Sequence, residues 1–588
     1  MMKFKRLIAL LLAVCCIVPF AACGGGPDPN PGPGPYGIYN VEGPNKTTIQ
    51  VINFNGGIGS EWLFKAAERF AEKRQTASYA PGKQGIYIDI TATMSVGVGS
   101  MPSGVYTFYT MEQYEDAVPL TIAQKGHALD VTEIYKDETR EGGSLESKLF
   151  EQVKGSLGRV EDDGEFHYYG FPHYESYGGL QYNRAIFEEV GAFIAHPDEA
   201  DYNEYSTKYG TINMVASEEA VKSAGPDGEE GTEDDGMPAS MEELIILMDY
   251  FKVQTKYAPV VLSGKCLNYD TYFISGLWAS LAGADQMKAY MDCKGMVEIV
   301  KRDSTGAILW TGEDLFPGIS YVKKPQTEWV ELKETNGYLG NDMVAKYYAI
   351  AMEEIMEKEG FFSADTYIGS RTHYDAQLAL VAGKAANMAD AAMLIEASYW
   401  YNEAEEGGVF TKYQTFTGED PKDLDVRMFP LPSACYAKDA TGKPTTFIDI
   451  SHCYLTVNGN IKDQPETKAA TLDFVSFLYS EDELEYFTIE TGEPRAIAYD
   501  LTDAQKEAAG GYVRHLWDLR DNATGSNVIY CSGTTDTFRA ARGSLKLYLS
   551  GTPITRIGYP YGRIRAGKGT EYIFNANRFT ASDWEKFM

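Results

Sequence analysis

The densest chemistry in this chain lies between residues 225 and 236. There Gly225-Pro226-Asp227-Gly228-Glu229-Glu230-Gly231-Thr232-Glu233-Asp234-Asp235-Gly236 crowds carboxylates onto a glycine-rich turn. Carboxylates on a tight turn can gather the roughly six to eight oxygens that Ca²⁺ requires. Asp227, Asp234 and Asp235 are the candidate ligands of a structural calcium. The spacing is not that of an EF-hand, and a solvated acidic loop is the competing reading. Catalytic patterns with a known mechanism are missing: there is no HExxH for zinc, no GxSxG for a nucleophile elbow and no GxGxxG behind a strand. Gly562-Arg563-Ile564-Arg565-Ala566-Gly567-Lys568-Gly569 falls short of a phosphate-binding loop, because Gly569 replaces the hydroxyl that would hold Mg²⁺. His167 and His173 have no metal-site spacing and read as structural histidines. A pair of carboxylates for glycoside cleavage is defined by separation in space, so the sequence leaves that chemistry open.

Polar recognition is better served. A sugar presents hydroxyls at its edge and C–H groups on its faces, so its site needs aromatic rings together with carboxylates, amides or Arg. Aromatic residues make up 13% of the chain, including 41 Tyr. Net charge excludes another partner: 52 Lys and Arg stand against 84 Asp and Glu, a formal charge of −32, and a protein so acidic repels nucleic-acid phosphates.

Lys3, Lys5 and Arg6 precede an apolar run from Leu7 to Phe20, too short to span a bilayer but suited to a signal-peptide core. Phe20-Ala21-Ala22-Cys23 follows and resembles the lipobox of bacterial lipoproteins. Residues 1–22 are the expected signal peptide and Cys23 the expected lipidated N-terminus, with plain cleavage after Ala22 as the alternative. Residues 23–45 are rich in Gly and Pro and form a tether. Cys266, Cys293, Cys435, Cys453 and Cys531 remain, an odd number without CxxC spacing, so free thiols with at most two disulfides are expected.

The elements that must position a site begin near Lys46. Thr48–Phe54 reads as a buried strand, Asn55–Ser60 as a turn, Glu61–Arg74 as an amphipathic helix and Gly85–Ile90 as a second, parallel strand. That pattern opens an α/β sheet, and ligands of such sheets sit beyond the carboxyl ends of the strands. A capped helix is expected from Ser240 to Lys252 and an apolar one from Tyr272 to Leu281. The chain is too long for one core, so two lobes or more are expected.

Three segments carry a family resemblance. Gly170-Phe171-Pro172-His173-Tyr174-Glu175-Ser176-Tyr177-Gly178-Gly179-Leu180-Gln181-Tyr182-Asn183 resembles the crossover region of family 1 extracellular solute-binding proteins, the relatives of maltose-binding protein. Leu378 to Asp390, with Gly383-Lys384-Ala385-Ala386, is similar to their helix, Gly-Lys-Ala-Ala and strand unit. Ala469 to Leu478, followed by Thr491-Gly492-Glu493-Pro494-Arg495, resembles their C-terminal helix and turn. The resemblance implies an α/β, two-lobed, type II periplasmic-binding-protein-like fold with the ligand cleft between lobes. Lobe one takes residues 46–170 plus 430–490, and lobe two takes 171–429 plus 491–588, with the surplus length around Pro197 to Pro238 and after Arg495.

It further implies an extracytoplasmic, lipid-anchored monomer, not an enzyme, that needs no cofactor. Such a protein binds a carbohydrate by lobe closure and hands it to the membrane subunits of an ABC importer. A secreted glycan hydrolase and a polymer-binding adhesin are the alternatives. The ligand-site candidates are Trp62 at the first helix start, Tyr174, Glu175 and Tyr177 beside the crossover, Asp390 after the Gly-Lys-Ala-Ala unit, and Trp400; Trp278 reads as core. Many sugar-binding relatives carry Gly and then Trp just after that strand, where Ala391-Ala392-Met393 stands here.

Overall fold

A computed structural model describes residues 36–96, 98–111, 122–140, 142–215, 220–440, 442–449, 453–530, 535, 537–538, 560–576 and 578–588. The expected signal peptide, Cys23, most of the tether and Cys531 lie outside these residues. Among the described residues no helix is long and apolar enough to cross a membrane.

Two open sheets organise the chain. The first has five strands in the order Ile86–Thr93, Thr47–Phe54, Phe108–Met111, Tyr454–Val457, Phe171–Pro172. Its first three are parallel and Tyr454–Val457 runs against them. Helix Glu61–Lys73 forms because Trp62, Leu63, Ala66, Ala67, Phe70 and Ala71 share one face, which is buried against the sheet layer. Phe70 meets Phe474 and Phe477 of helix Pro465–Leu478, both at 5.1 Å between ring centroids.

The second sheet has four strands in the order Ala258–Val261, Ala391–Ala397, Gly178–Asn183, Val426–Met428. All seven residues of its Ala391–Ala397 strand are buried, as a strand covered on both faces requires. Helix Met241–Gln254 starts at Ser240 with a reciprocal capping box to Glu243. The apolar helix extends further than the periodicity indicates, from Asp270 to Met291, with a break in helical backbone at Gly283. Additional strands, Asn203–Thr207 with Gly210–Val215, Gly295–Val300 with Thr327–Leu332 and the Trp310–Phe316/Ile319–Pro325 hairpin, fill the surplus length. Periodicity had not indicated the last two pairs, since strands such as Trp310–Phe316 expose most of their residues and lack a buried alternation.

Three chain segments cross between the sheets and bond to one another. His173 N donates to Cys453 O at 3.2 Å and Glu175 N to Pro494 O at 2.8 Å. Ser176 N donates to Asp449 Oδ1 at 3.0 Å, and Tyr177 forms an antiparallel bridge with Asp449. The helix Asp270–Met291 approaches the second sheet closely at Gly276, where an added Cβ would lie 2.6 Å from Gly178 O and 3.2 Å from Gly179 Cα. Backbone cannot yield as a flexible side chain does, so Gly276→Val should cost about 1–3 kcal/mol, read as a lowered denaturation midpoint with an unchanged circular dichroism spectrum.

Candidate functional site

The first β-loop-α unit delivers its loop to the gap between the two sheets. Asn53 Nδ2 holds that loop by donating to Gly59 O at 3.0 Å and Ser60 Oγ at 2.7 Å, and Gly59 takes φ +66°. Across the gap stands helix Trp400–Glu406. Asn402 Nδ2 reaches Gly57 O at 3.4 Å, and a Cβ on Gly59 would come within 1.8 Å of the Glu406 carboxyl. Behind this contact lies a cavity of about 550 Å³. Ile58, Glu61, Trp62 and Lys65 line one side, Tyr401, Asn402, Glu405, Glu406 and Phe410 the other, and Ile489 to Gly492 the end beside the crossing segments.

Of the candidates chosen from sequence, Trp62 lies in this cavity wall. Its ring packs edge-on to Phe487 at 5.1 Å and tilts on His173 at 5.3 Å, with the Arg495 guanidinium 5.2 Å from its centroid. Trp62 is 3% exposed and its Nε1 has no protein acceptor. Arg495 Nη1 donates to His173 Nδ1 at 3.1 Å, and burial together with that cation holds His173 well below the usual imidazole range. His173 is therefore a neutral acceptor. Tyr174 is buried edge-on to His173 at 5.1 Å.

Glu175 and Tyr177 sit inside the crossover itself, fully buried. Arg520 Nε lies 3.2 Å from Glu175 Oε1, Tyr530 OH donates to the same oxygen at 3.1 Å, and Tyr177 OH donates to Oε2. Burial raises the Glu175 pKa, while Arg520 and the two hydroxyls pull it back. Trp400, at 0% exposure, packs against Tyr512, Tyr401 and Phe410. Trp278 is likewise in the core.

Asp390 lies elsewhere. The Gly-Lys-Ala-Ala stretch is a single 3-10 turn, Gly383–Ala386, and the strand begins after it at Ala391. Asp390 accepts from Lys384 N at 3.2 Å and pairs with Lys384 Nζ at 3.2 Å. The strand then runs for seven residues, about 23 Å at 3.3 Å per residue, before Ser398 reaches the crossover. Its carboxyl end, rather than Asp390, meets the gap. The segment following the strand is thus Ser398-Tyr399-Trp400, and the Ala391-Ala392-Met393 comparison belonged to the wrong end.

That shift uncovers residues the sequence reading missed. Ser398 Oγ receives Tyr177 N at 3.1 Å and donates to Glu493 Oε2 at 3.1 Å, tying the strand end to two crossing segments. Tyr399 and Tyr272 hydrogen-bond through their hydroxyls, and Tyr269 lies 5.2 Å from Tyr272 between ring centroids. Below them are two acids: Glu396, fully buried, and Glu403, which accepts from Gln377 Nε2 at 3.1 Å and lies 3.9 Å from His373 Nε2. Burial and the neighbouring carboxylate push both upward, Glu403 to about 8. Tyr272 and Tyr399 are each 6% exposed, so these rings and acids pack behind the strand end as a buried cluster, and the rings that line the cavity are Trp62, Tyr401 and Phe410.

The acidic loop engages its own backbone. Asp227 N donates to Asp234 Oδ2 at 3.1 Å, Gly231 N to Asp235 Oδ2 at 2.7 Å and Thr232 Oγ1 to Asp234 Oδ1 at 2.6 Å. Asp227 Oδ2 and Asp235 Oδ1 are buried without a protein partner, and burial with the neighbouring charges pushes Asp234 up to about 7. Among the described residues, no group of three or more His, Cys, Asp or Glu is arranged to hold a metal ion. Glu233 docks the loop through His515 Nδ1 at 2.8 Å and Arg427 at 3.5 Å. The stretch after Gly562 is a helix, a turn and a second helix whose Thr570 N–H is bound by Glu354 at 2.6 Å, so a carboxylate occupies the place a phosphate would need. Cys266, Cys293, Cys435 and Cys453 are free of disulfides.

The chain has the two-lobed solute-binding-protein fold. It superimposes on the mannobiose complex of BlMnBP1, a binding protein of an ABC transporter from Bifidobacterium animalis subsp. lactis ATCC27673, with TM-score 0.51 and 13% identity over 92% of this chain and 94% of that one. Maltose-bound MalE3 of T. maritima gives TM-score 0.51 and 14% identity over 92% of this chain and all of that one. No family model and no curated protein matches the sequence.

Glu403 supplies a pH test. Its folded pKa of about 8 stands above an unfolded value of about 4.3. The folded chain holds a proton that the unfolded chain releases, so its contribution to stability is complete below about 4.3 and lost as pH rises to 8. Glu403→Gln should therefore raise Tm relative to the parent at pH 8 and leave it nearly unchanged at pH 4, measured by differential scanning calorimetry.

Proposed function

We propose that this protein is an extracytoplasmic solute-binding receptor that captures an oligosaccharide between its lobes and delivers it to the membrane subunits of an ABC importer. The observation that carries the reading is the cavity of about 550 Å³ between two sheets joined by bonded crossing segments. Its walls combine Trp62 and Tyr401 rings with carboxylate and amide groups, as sugar recognition requires. Support comes from the two similarly folded proteins, one in complex with mannobiose and one bound to maltose. Tyr401 and Phe410 form the second wall, and Trp62 the stacking ring of the first lobe, with Tyr174 beside it. Glu175 and Tyr177 act through the hinge rather than on the ligand.

Binding works by population shift. A ligand touching both lobes favours the closed form over an open one, by its difference in affinity for the two. A micromolar dissociation constant needs about 8 kcal/mol, within reach of a few stacked rings and charge-assisted hydrogen bonds. The protein works as a monomer, with Cys23 as its lipid anchor on the outer face of the cell membrane. Catalysis is no part of this reading, and neither is a cofactor. Calcium on Asp227, Asp234 and Asp235 is a separate proposal, supported by the two unpartnered carboxylate oxygens; a lower Tm in EDTA, restored by Ca²⁺, is its expected signature.

The test is a thermal-shift screen of the mature chain against neutral oligosaccharides of several linkages, followed by calorimetry and recovery of the glycan. A glycan that raises Tm, returns intact and compacts the protein in small-angle scattering is the expected result. Tyr401→Ala, at a ring that lines the cavity, should then weaken it at least about tenfold, the loss of one stacking or hydrogen-bonding contact of about 1.4 kcal/mol. A cleaved glycan would mean a hydrolase, and no shift with any glycan would refute a sugar receptor.

A further inference from the structure

The cavity is unbalanced in charge. Its lining holds Glu61, Glu405, Glu406, Asp420 and Glu490 against Lys65 and Lys422, and among the described residues no arginine lines it. The lysines are engaged: Lys65 Nζ lies 2.8 Å from Glu61 Oε1, and Lys422 Nζ donates to Ala508 O at 2.7 Å. The guanidinium groups behind the lobe-one wall are committed as well. Arg69 binds Glu483 and Glu490, each at 2.7 Å, and Arg495 lies 3.8 Å from the centroid of the Phe487 ring while donating to His173.

Glu405 and Glu406 stand on the opposite wall with exposed side chains. Burial and the charge of Glu61 raise the Glu406 pKa. Trp62 adds a second observation: the residue lines the cavity, and its buried Nε1–H has no protein acceptor. The complementary molecule offers hydrogen-bond donors to the carboxylates.

We infer that this cavity sorts glycans by charge, taking neutral and amine-bearing sugars and turning away those that carry carboxylate, sulfate or phosphate. The inference rests on the receptor reading and adds the ligand's charge class to it. An anionic sugar would bring a charge beside like charges, with no uncommitted guanidinium to receive it. A hydroxyl gives the carboxylates a donor, and an ammonium gives them a charge-assisted one. The discrimination is electrostatic, so salt weakens it.

The experiment uses the neutral glycan that binds in the screen, its C6-carboxylate derivative and its 6-amino-6-deoxy derivative, titrated calorimetrically into the mature chain. At low salt the amine should bind at least as tightly as the parent, and the carboxylate about tenfold weaker or worse, with the gap narrowing as salt rises. The Glu405→Lys/Glu406→Lys variant, its fold checked by circular dichroism, should reverse the order of amine and carboxylate. Should that variant not fold, Glu405→Gln should narrow the gap. Equal binding of carboxylate and parent, a gap insensitive to salt, or an order unchanged by the altered charges overturns the inference while leaving the receptor intact. If neither the neutral nor any acidic glycan binds, the receptor reading falls first and takes the inference with it.

Discussion

A single buried ion pair anchors the connection between the two halves of this molecule. Glu175 and Arg520 face each other with side chains 0% and 3% exposed, where an unpaired charge would cost several kcal/mol. Glu175 keeps two hydroxyl donors, Tyr177 and Tyr530, and Arg520 is covered by Phe150, Tyr499 and Trp517 at 4.6 to 5.3 Å. Glu175 belongs to one crossing segment and Tyr530 to the strand Asn527–Tyr530, which pairs with another, Thr446–Asp449. The pair therefore fixes where the segments cross.

The cleft geometry follows from that constraint. Ser398 bonds both Tyr177 and Glu493, so the end of the second sheet is tied to the crossing segments, and the helix that follows brings Tyr401 and Asn402 to the cavity. On the other side, Asn53 shapes the loop that faces Asn402 and Glu406. In the proposed function, a ligand between these walls would change the relation of the two lobes rather than the shape of either.

Much of the fold was legible along the chain. The strand from Thr47, the helix from Glu61 and the parallel partner from Ile86 announce themselves by apolar spacing, because each buries one face or one stripe. Ser240 and Glu243 mark a helix start by cap chemistry that acts within four residues. The site was less legible. Asp390 was placed on the wrong side of its strand since Gly383-Lys384-Ala385-Ala386 has a composition that serves a turn or a strand end equally, and only the pairing of Ala391 with Ala258 fixes the register. Glu175 and Tyr177 looked like ligand groups from their place beside the crossover, and the structure buries them against Arg520.

The sequence by itself determined the α/β class, the helix boundaries set by caps and periodicity, the acidity that excludes nucleic acid, and the absence of the familiar catalytic motifs. These depend on composition or on neighbours within a few residues. Only the tertiary structure decided which aromatic and acidic residues line the cavity, that Trp400 is core while Tyr401 is wall, and that Arg520 pairs with Glu175 in the crossover. Those roles join residues such as Glu175 and Arg520 that are hundreds of positions apart, and no local pattern encodes a contact whose partner is brought in by the folding of a separate sheet.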